Sequence, residues 1–175
     1  MSRYLPRKPT KKPRQIPLPA DHNPVPTPKP LNADGTRRWI VYADGASRGN
    51  PGAASIGAAV YDERGQEVAR VSRRVGRATN NEAEYQAAIA GLEAALGLGG
   101  GGVELRMDSQ LIVRQLEFRY KVRNPRLQPF FNRLLELKRQ FGSFAVHHIP
   151  REQNTRADEL ANLALDRLEG DEDAT

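Results

Sequence analysis

The pattern of apolar and polar positions changes abruptly at Arg37 and predicts three strands in succession. Residues 38–43 form an apolar run after one arginine, which favours a buried strand. Residues 54–61 and 67–75 are rich in apolar and β-branched side chains and predict two more strands. The segment 62–65 between them has the composition of a hairpin turn.

Helices and strands then alternate. An Ala, Leu and Glu-rich stretch predicts a helix over 82–98, which the glycine run 99–102 ends. The later elements are helices at 109–118, 126–141 and 154–168 and strands at 103–107 and 143–149. The order β-β-β-α-β-α-α-β-α predicts an α/β fold in which helices cover both faces of a mixed sheet.

Residues 1–36 differ from the rest of the chain. They hold nine of the thirteen prolines, which favours a disordered or polyproline-like segment. They also hold seven Lys and Arg against two Asp, so +5 of the net charge of +6 lies there. Two interpretations stay open: a passive solubilising tail, or a basic arm that contacts phosphates. We expect a folded domain over 37–168 and an acidic C-terminal tail over 169–175.

Composition narrows the class of protein. The sequence pI of about 9.9 favours polyanionic partners such as nucleic acid. Cysteine is absent, which excludes disulfides and thiolate metal sites and fits a reducing compartment. No apolar run reaches the roughly 18 residues of a membrane helix, and no apolar stretch marks a secretory signal. We therefore expect a cytoplasmic protein, without membrane association, that acts as a monomer.

Three aspartates near the ends of predicted elements are candidates for chemistry, and each has a structural alternative. Asp44 follows the first strand, where an Asp-Gly pair is also typical of a hairpin turn. Asp108 ends the strand 103–107, where it could simply cap the next helix. Asp158 lies in the first turn of the last helix, where with Thr155 it resembles a capping box.

Glu84 is the fourth acidic candidate. Its helix face continues through a stripe of small residues, Ala88, Gly91 and Ala95. Such a stripe lets a helix approach its neighbour closely, so Glu84 borders the packing face, whereas Glu82 and Glu93 are expected to meet solvent. The alternative is a first-turn glutamate that complements the helix dipole. Four carboxylates, with no cysteine and only three histidines, suggest a site for hard cations such as Mg²⁺ or Mn²⁺.

Four motifs in order resemble those of the ribonuclease H type I family, over roughly residues 37–166. They are Tyr42-Ala43-Asp44-Gly45 with Gly49-Asn50-Pro51-Gly52, Thr79-Asn80-Asn81-Glu82-Ala83-Glu84, Met107-Asp108-Ser109-Gln110, and Ala157-Asp158-Glu159-Leu160-Ala161. The resemblance implies a five-stranded mixed sheet, with its first three strands antiparallel and helices on both faces. It also implies an endoribonuclease that cuts the RNA strand of an RNA–DNA hybrid.

The family's functional residues carry over position by position. The resemblance implies that two Mg²⁺ or Mn²⁺ ions are held by Asp44, Glu84, Asp108 and Asp158. It implies contacts with the hybrid from Gly49, Asn50, Thr79, Asn80, Asn81 and Gln110. Two other functions stay open: a module that binds hybrid or double-stranded RNA without cutting, and a nuclease of the same fold that acts on double-stranded RNA or structured DNA.

The sequence departs from many bacterial members of the family in two places. The basic helical handle between the third and fourth motifs has no counterpart over 120–140. The segment Pro150-Arg151-Glu152-Gln153-Asn154 resembles a branch without the handle, in which the arginine has a catalytic place. Arg151 is thus the candidate cation near the scissile phosphate; the alternative is a surface arginine that pairs with Glu152 or Asp158. For His148, on the preceding strand, we expect a structural role.

Overall fold

The computed structural model describes residues 37–99 and 101–167. Its strands are β1 (Arg38–Gly49), β2 (Gly52–Tyr61), β3 (Glu67–Ala78), β4 (Gly102–Met107) and β5 (Ser143–His148). Its helices are α1 (Asn80–Gly97), α2 (Gln110–Leu116), α3 (Gln128–Arg139) and α4 (Thr155–Asp166), with a 3-10 turn at Arg151–Gln153. The predicted tails 1–36 and 169–175 lie outside the described residues.

The five strands form one mixed sheet in the order β3-β2-β1-β4-β5. β2 is antiparallel to both β1 and β3, while β4 runs parallel to β1 and β5 parallel to β4. The predicted fold class and element order are confirmed. β1 lies in the middle of the sheet, and its residues 38–44 are buried.

The two faces of the sheet are covered by different helices. Alternate residues of β1, Val41 and Ala43 among them, join the main core with α1 and α3. The intervening Ile40 and Tyr42 pack with Ala157 of α4 on the other face. None of the helices in the described part of the chain is long and apolar enough to cross a membrane.

The stripe of small residues on α1 faces the sheet, as predicted. Ala88, Gly91 and Ala95 are all buried. A Cβ atom added to Gly91 would lie 2.5 Å from Val41 Cγ1 and 3.2 Å from Ala58 Cβ, so α1 lies against β1 and β2 at a distance that only glycine permits.

The first strand is longer than predicted, and this changes the position of Asp44. We expected β1 to end at residue 43 and considered Asp44-Gly45 as a hairpin turn. Instead β1 continues to Gly49 and pairs with β2 from Ile40 to Gly49, so the turn lies at Asn50 and Pro51. Asp44 is therefore an interior strand residue, and the hairpin interpretation is wrong. The predicted turn over 62–65 is confirmed, because Asp62 Oδ1 accepts hydrogen bonds from the backbone of Arg64 and Gln66.

The close packing of α1 generates a prediction about stability. Gly91→Ala should lower the free energy of unfolding by about 1–3 kcal/mol, because its methyl group would overpack a filled core. Gly97→Ala is the matched control, since no atom lies within 4 Å of its added Cβ. This control should be neutral, or stabilising by up to about 1 kcal/mol. Urea denaturation of both variants measures the difference; a Gly91→Ala variant as stable as Gly97→Ala would contradict the packing argument.

Candidate active site

Asp44 is the buried centre of the site, with 7% of its surface exposed. Its cross-strand partner on β2 is Gly57. A Cβ atom added to Gly57 would overlap the backbone of Ala157 and Ala161, so α4 lies directly on the sheet beside Asp44. This close approach brings the Asp158 carboxylate beside Asp44, where it raises the pKa of Asp44.

Glu84 reaches Asp44 from the opposite face of the sheet. A Cβ atom added to Gly45 would overlap the backbone of Ala83 and Glu84, so the first turn of α1 lies against β1. The Glu84 side chain is half-buried and lies close enough to Ser109 for that side chain to lower the pKa of Glu84. The predicted inward orientation of Glu84 is confirmed.

Asp108 follows β4 and lies just before α2. We considered it as the cap of that helix, but the cap is Ser109, whose Oγ accepts from the Ile112 backbone N–H at 3.5 Å. Capping therefore does not occupy the Asp108 carboxylate. One of its oxygens, Oδ1, accepts a hydrogen bond of 2.8 Å from Asn154 Nδ2. Sequence reasoning singled out neither Ser109 nor Asn154 for contact with the acidic residues.

Arg151 and Asp158 lie side by side at the start of α4. The helix begins at Thr155, with Asn154 in the cap position, so the Thr155–Asp158 capping box that we considered does not form. Arg151 lies in the 3-10 turn before the helix, and its side chain is 81% exposed. Its Nη2 atom lies 3.9 Å from Asp158 Oδ1. The guanidinium group is thus next to the acidic residues and open to a large ligand.

Burial and neighbouring carboxylates raise the pKa of two of the acidic residues, Asp44 and Glu84. Burial raises the pKa of Asp44 to about 8, and the negative charges of Asp108, Asp158 and Glu84 add to the effect. Burial also raises the pKa of Glu84, an effect opposed by the neighbouring Ser109 side chain and increased by Asp108. Among the described residues, no three acidic or histidine side chains already converge at the spacing of a metal-ligand set. The arrangement is a cluster of like charges that favours a proton or a cation.

The start of α1 is fixed by a capping box that the sequence analysis missed. Thr79 Oγ1 accepts from the Glu82 backbone, and Glu82 Oε2 accepts from the Thr79 backbone. Glu82 is 6% exposed, and Arg126 donates to its second oxygen at 2.9 Å. The expectation that Glu82 meets solvent is therefore wrong. The Thr-x-x-Glu spacing was the signal that could have identified this cap.

The predicted substrate contacts lie at the rim of the site. The Asn80 backbone N–H donates to Asn50 Oδ1 at 3.1 Å, which joins the β1–β2 turn to the start of α1. Gly49, the last residue of β1, and Asn81, in the first turn of α1, are both exposed. Gln110 is exposed at the first position of α2, two residues after Asp108.

His148 ends β5, where it pairs with Met107 across the sheet. Its side chain is exposed, so burial gives no support to the structural role that we expected.

Comparison with known proteins places this geometry in a family. The model of the family described as reverse transcriptase-like matches residues 42–164. Ribonuclease HI of Halobacterium salinarum is 46% identical over 136 residues, which are 78% of this chain and 68% of that protein. The bifunctional protein Rv2228c of Mycobacterium tuberculosis is 43% identical over 128 residues, which are 73% of this chain; these span only 35% of that longer relative.

Solved structures give the same result. The crystal structure of the ribonuclease H1 from Halobacterium salinarum superimposes with a TM-score of 0.73 at 47% identity, over 74% of this chain and 98% of that one. The crystal structure of LC11-RNase H1 in complex with an RNA/DNA hybrid has a TM-score of 0.71 at 44% identity, with the same two coverages. The chain belongs to the reverse transcriptase-like family and, within it, to the type I ribonucleases H.

Proposed function

We propose that this protein hydrolyses the RNA strand of RNA–DNA hybrids as an endoribonuclease. The observation that carries the proposal is the cluster of Glu84, Asp108 and Asp158 around the buried Asp44. The names of the Halobacterium relative and of the hybrid-bound neighbour support the same activity.

The acidic residues fit divalent cations, and we propose that Asp44, Glu84, Asp108 and Asp158 hold two Mg²⁺ or Mn²⁺ ions. The side chains offer only oxygen ligands, which these hard cations prefer. Bound cations would relieve the repulsion that raises the pKa of Asp44 and would draw the carboxylates together. Two such ions supply an activated water and stabilise the leaving oxygen of an in-line displacement.

We propose that Arg151 contacts a phosphate of the substrate. Its guanidinium is 81% exposed yet within 3.9 Å of Asp158, so it can face a phosphodiester held at the acidic cluster. A planar guanidinium can donate two parallel hydrogen bonds to one phosphate, which lysine cannot do.

The asparagine and glutamine side chains near the acidic site are suited to recognising an RNA–DNA hybrid. Asn50 and Asn80 are joined by a hydrogen bond, and Asn81 and Gln110 present exposed amides. Amide groups can reach the wide, shallow minor groove of an A-like duplex, where the 2′-hydroxyl distinguishes RNA from DNA. Thr79 holds the asparagines in place through the capping box with Glu82.

Two groups of basic side chains are candidates for binding the hybrid outside the acidic site. The connection between α2 and α3 exposes four basic side chains, Arg119, Lys121, Arg123 and Arg126. The proline-rich segment 1–36 carries seven more. We propose that the segment acts as a basic arm and that 37–168 is the catalytic domain, in a monomer that works in the cytoplasm.

A panel of substrates tests the function. Purified protein should cut a matched RNA–DNA hybrid with Mg²⁺ or Mn²⁺ and leave double-stranded DNA and single-stranded RNA intact. Cleavage of double-stranded RNA in the same assay would show a wider substrate range. Tight binding of the hybrid with no cleavage under any metal condition would support the non-cleaving alternative instead.

The carboxylates generate the next prediction. Asp44→Asn, Glu84→Gln and Asp108→Asn should each lower turnover by more than about 100-fold, because a carboxamide cannot replace a charged ligand. Asp158→Asn should be more forgiving, since the resemblance makes this residue the most peripheral ligand. The exposed Glu136, which pairs with Arg133 on α3, offers a control, Glu136→Gln. Near-normal turnover in one of the first three variants would remove that residue from the site.

Asp44 should also make the metal-free protein less stable as pH rises. Its folded pKa of about 8 lies above its ordinary value of 3.8, so the folded state prefers the protonated form. Its contribution is fully present below about pH 4 and is lost as pH approaches 8. With a chelator at pH 8, Asp44→Asn should therefore be more stable than the original protein by more than about 1 kcal/mol. Melts at pH 5 and pH 8 measure this; an equal gain at both values would contradict the electrostatic explanation.

Arg151 and His148 can be separated by substitution. Arg151→Ala should lower kcat strongly, and Arg151→Lys should recover only part of it, because the charge returns without the planar fork. His148→Ala should change neither kcat nor stability much, since the side chain is exposed. The measurements are the turnover of one hybrid and a thermal melt for each variant, which separate a loss of catalysis from a loss of stability. A well-folded but inactive His148→Ala variant would transfer the catalytic role to His148.

The basic arm should act through salt-dependent binding. Removal of residues 1–36 should raise KM, leave kcat nearly unchanged and flatten the salt dependence of Kd. Each lost phosphate contact should reduce the log–log slope by about 0.9 for a B-form duplex, so three or four contacts give roughly three units. The measurement is Kd for one hybrid from low to moderate salt, with and without the segment. Equal slopes with and without the segment would show that the folded domain makes the phosphate contacts. The basic side chains of the α2–α3 connection would then be the candidates.

A further inference from the structure

Asn154 is a buried side chain that does not perform the usual task of an asparagine at its position. It occupies the cap of α4 and is 1% exposed. An asparagine there normally accepts a hydrogen bond from the first turn of its own helix. Its side chain makes no such cap bond. Its contacts lead to other elements.

The side-chain amide nitrogen of Asn154 donates two hydrogen bonds, both to acceptors in the acidic site. Nδ2 donates to the Ala43 carbonyl oxygen at 3.0 Å and to Asp108 Oδ1 at 2.8 Å. Ala43 immediately precedes Asp44. The backbone carbonyl of Asn154 accepts a hydrogen bond from the Asp158 backbone N–H at 3.1 Å. One residue therefore joins the three segments that carry Asp44, Asp108 and Asp158.

The orientation of this amide is determined by its partners. A flipped amide would place the oxygen against two acceptors, so only one orientation forms both hydrogen bonds. The remaining atom, Asn154 Oδ1, is buried without a hydrogen-bond partner among the described residues. An unpaired buried acceptor costs stability. The two donor contacts are thus made at the expense of an unpaired oxygen, which points to a role in the site.

We propose that Asn154 is a positioning residue for the acidic site. It acts through Asp108 and the backbone next to Asp44, so the proposal rests on the metal-dependent function proposed above. A neutral amide donor can orient the Asp108 carboxylate while leaving its negative charge for a cation. A lysine or arginine at the same place would neutralise that charge. Asn154 also fixes the start of α4, and therefore the distance of Asp158 and Arg151 from the strand ends.

The experiment compares Asn154→Ala with two controls on the exposed face of the same helix, Asn162→Ala and Asn162→Asp. We expect Asn154→Ala to lower kcat by about 10–100-fold with little change in KM for the hybrid. Calorimetric titration with Mn²⁺, without nucleic acid, should show weaker binding by a similar factor. Both Asn162 variants should match the original protein. Asn154→Ser, whose hydroxyl can donate to only one acceptor, replaces the alanine variant if that variant does not fold.

Stability alone does not decide the outcome. A lower melting temperature with unchanged Mn²⁺ affinity would show that Asn154 is merely structural and would overturn the proposal, as would an unchanged kcat in a folded variant. If the original protein cuts no hybrid at all, the proposed function fails. The Mn²⁺ titration still tests the role of Asn154 in that case. Weaker Mn²⁺ binding by the Asn154→Ala variant than by the original protein supports the positioning role, and equal binding rejects it.

Discussion

The site depends on how closely two helices approach opposite faces of the strand that carries Asp44. Gly45 lets the first turn of α1 lie on one face, and Gly57 lets the start of α4 lie on the other. A methyl group at either position would overlap helix backbone, so the helix would have to move away. Glu84 and Asp158 would move with it. The distance between the carboxylates is therefore set by backbone packing, which is more rigid than side-chain rotamers.

This packing forces like charges together at a cost. Asp44 is buried between helices, and burial together with three nearby carboxylates raises its pKa to about 8. The Ser109 side chain, which lowers the pKa of Glu84, and the hydrogen bond from Asn154 to Asp108 offset part of that cost without adding positive charge. The site thus holds its charge for a ligand, at the expense of the stability of the metal-free fold.

The sequence predicted the element order and the inward position of Glu84, because both depend on local periodicity. It did not predict the length of β1. The apolar run ends at residue 43, and the strand continues to Gly49 only because β2 supplies pairing partners. An Asp-Gly pair fits a turn equally well, so Asp44 stayed ambiguous. The Asn154 contacts could not be predicted either, since Ala43 and Asp108 are 111 and 46 residues away in sequence.

The distribution of charge explains how an acidic centre can serve a polyanionic substrate. The buried carboxylates would repel a phosphodiester on their own, and cations are needed at the centre. The exposed guanidinium of Arg151 lies 3.9 Å from Asp158, and the exposed Arg126 donates to Glu82 at the start of α1. Positive charge is therefore placed at the edge and negative charge at the bottom of the site. A duplex bound at the edge can approach the acidic centre only where cations already neutralise the carboxylates. Substrate binding and metal binding are therefore separable functions of different side chains.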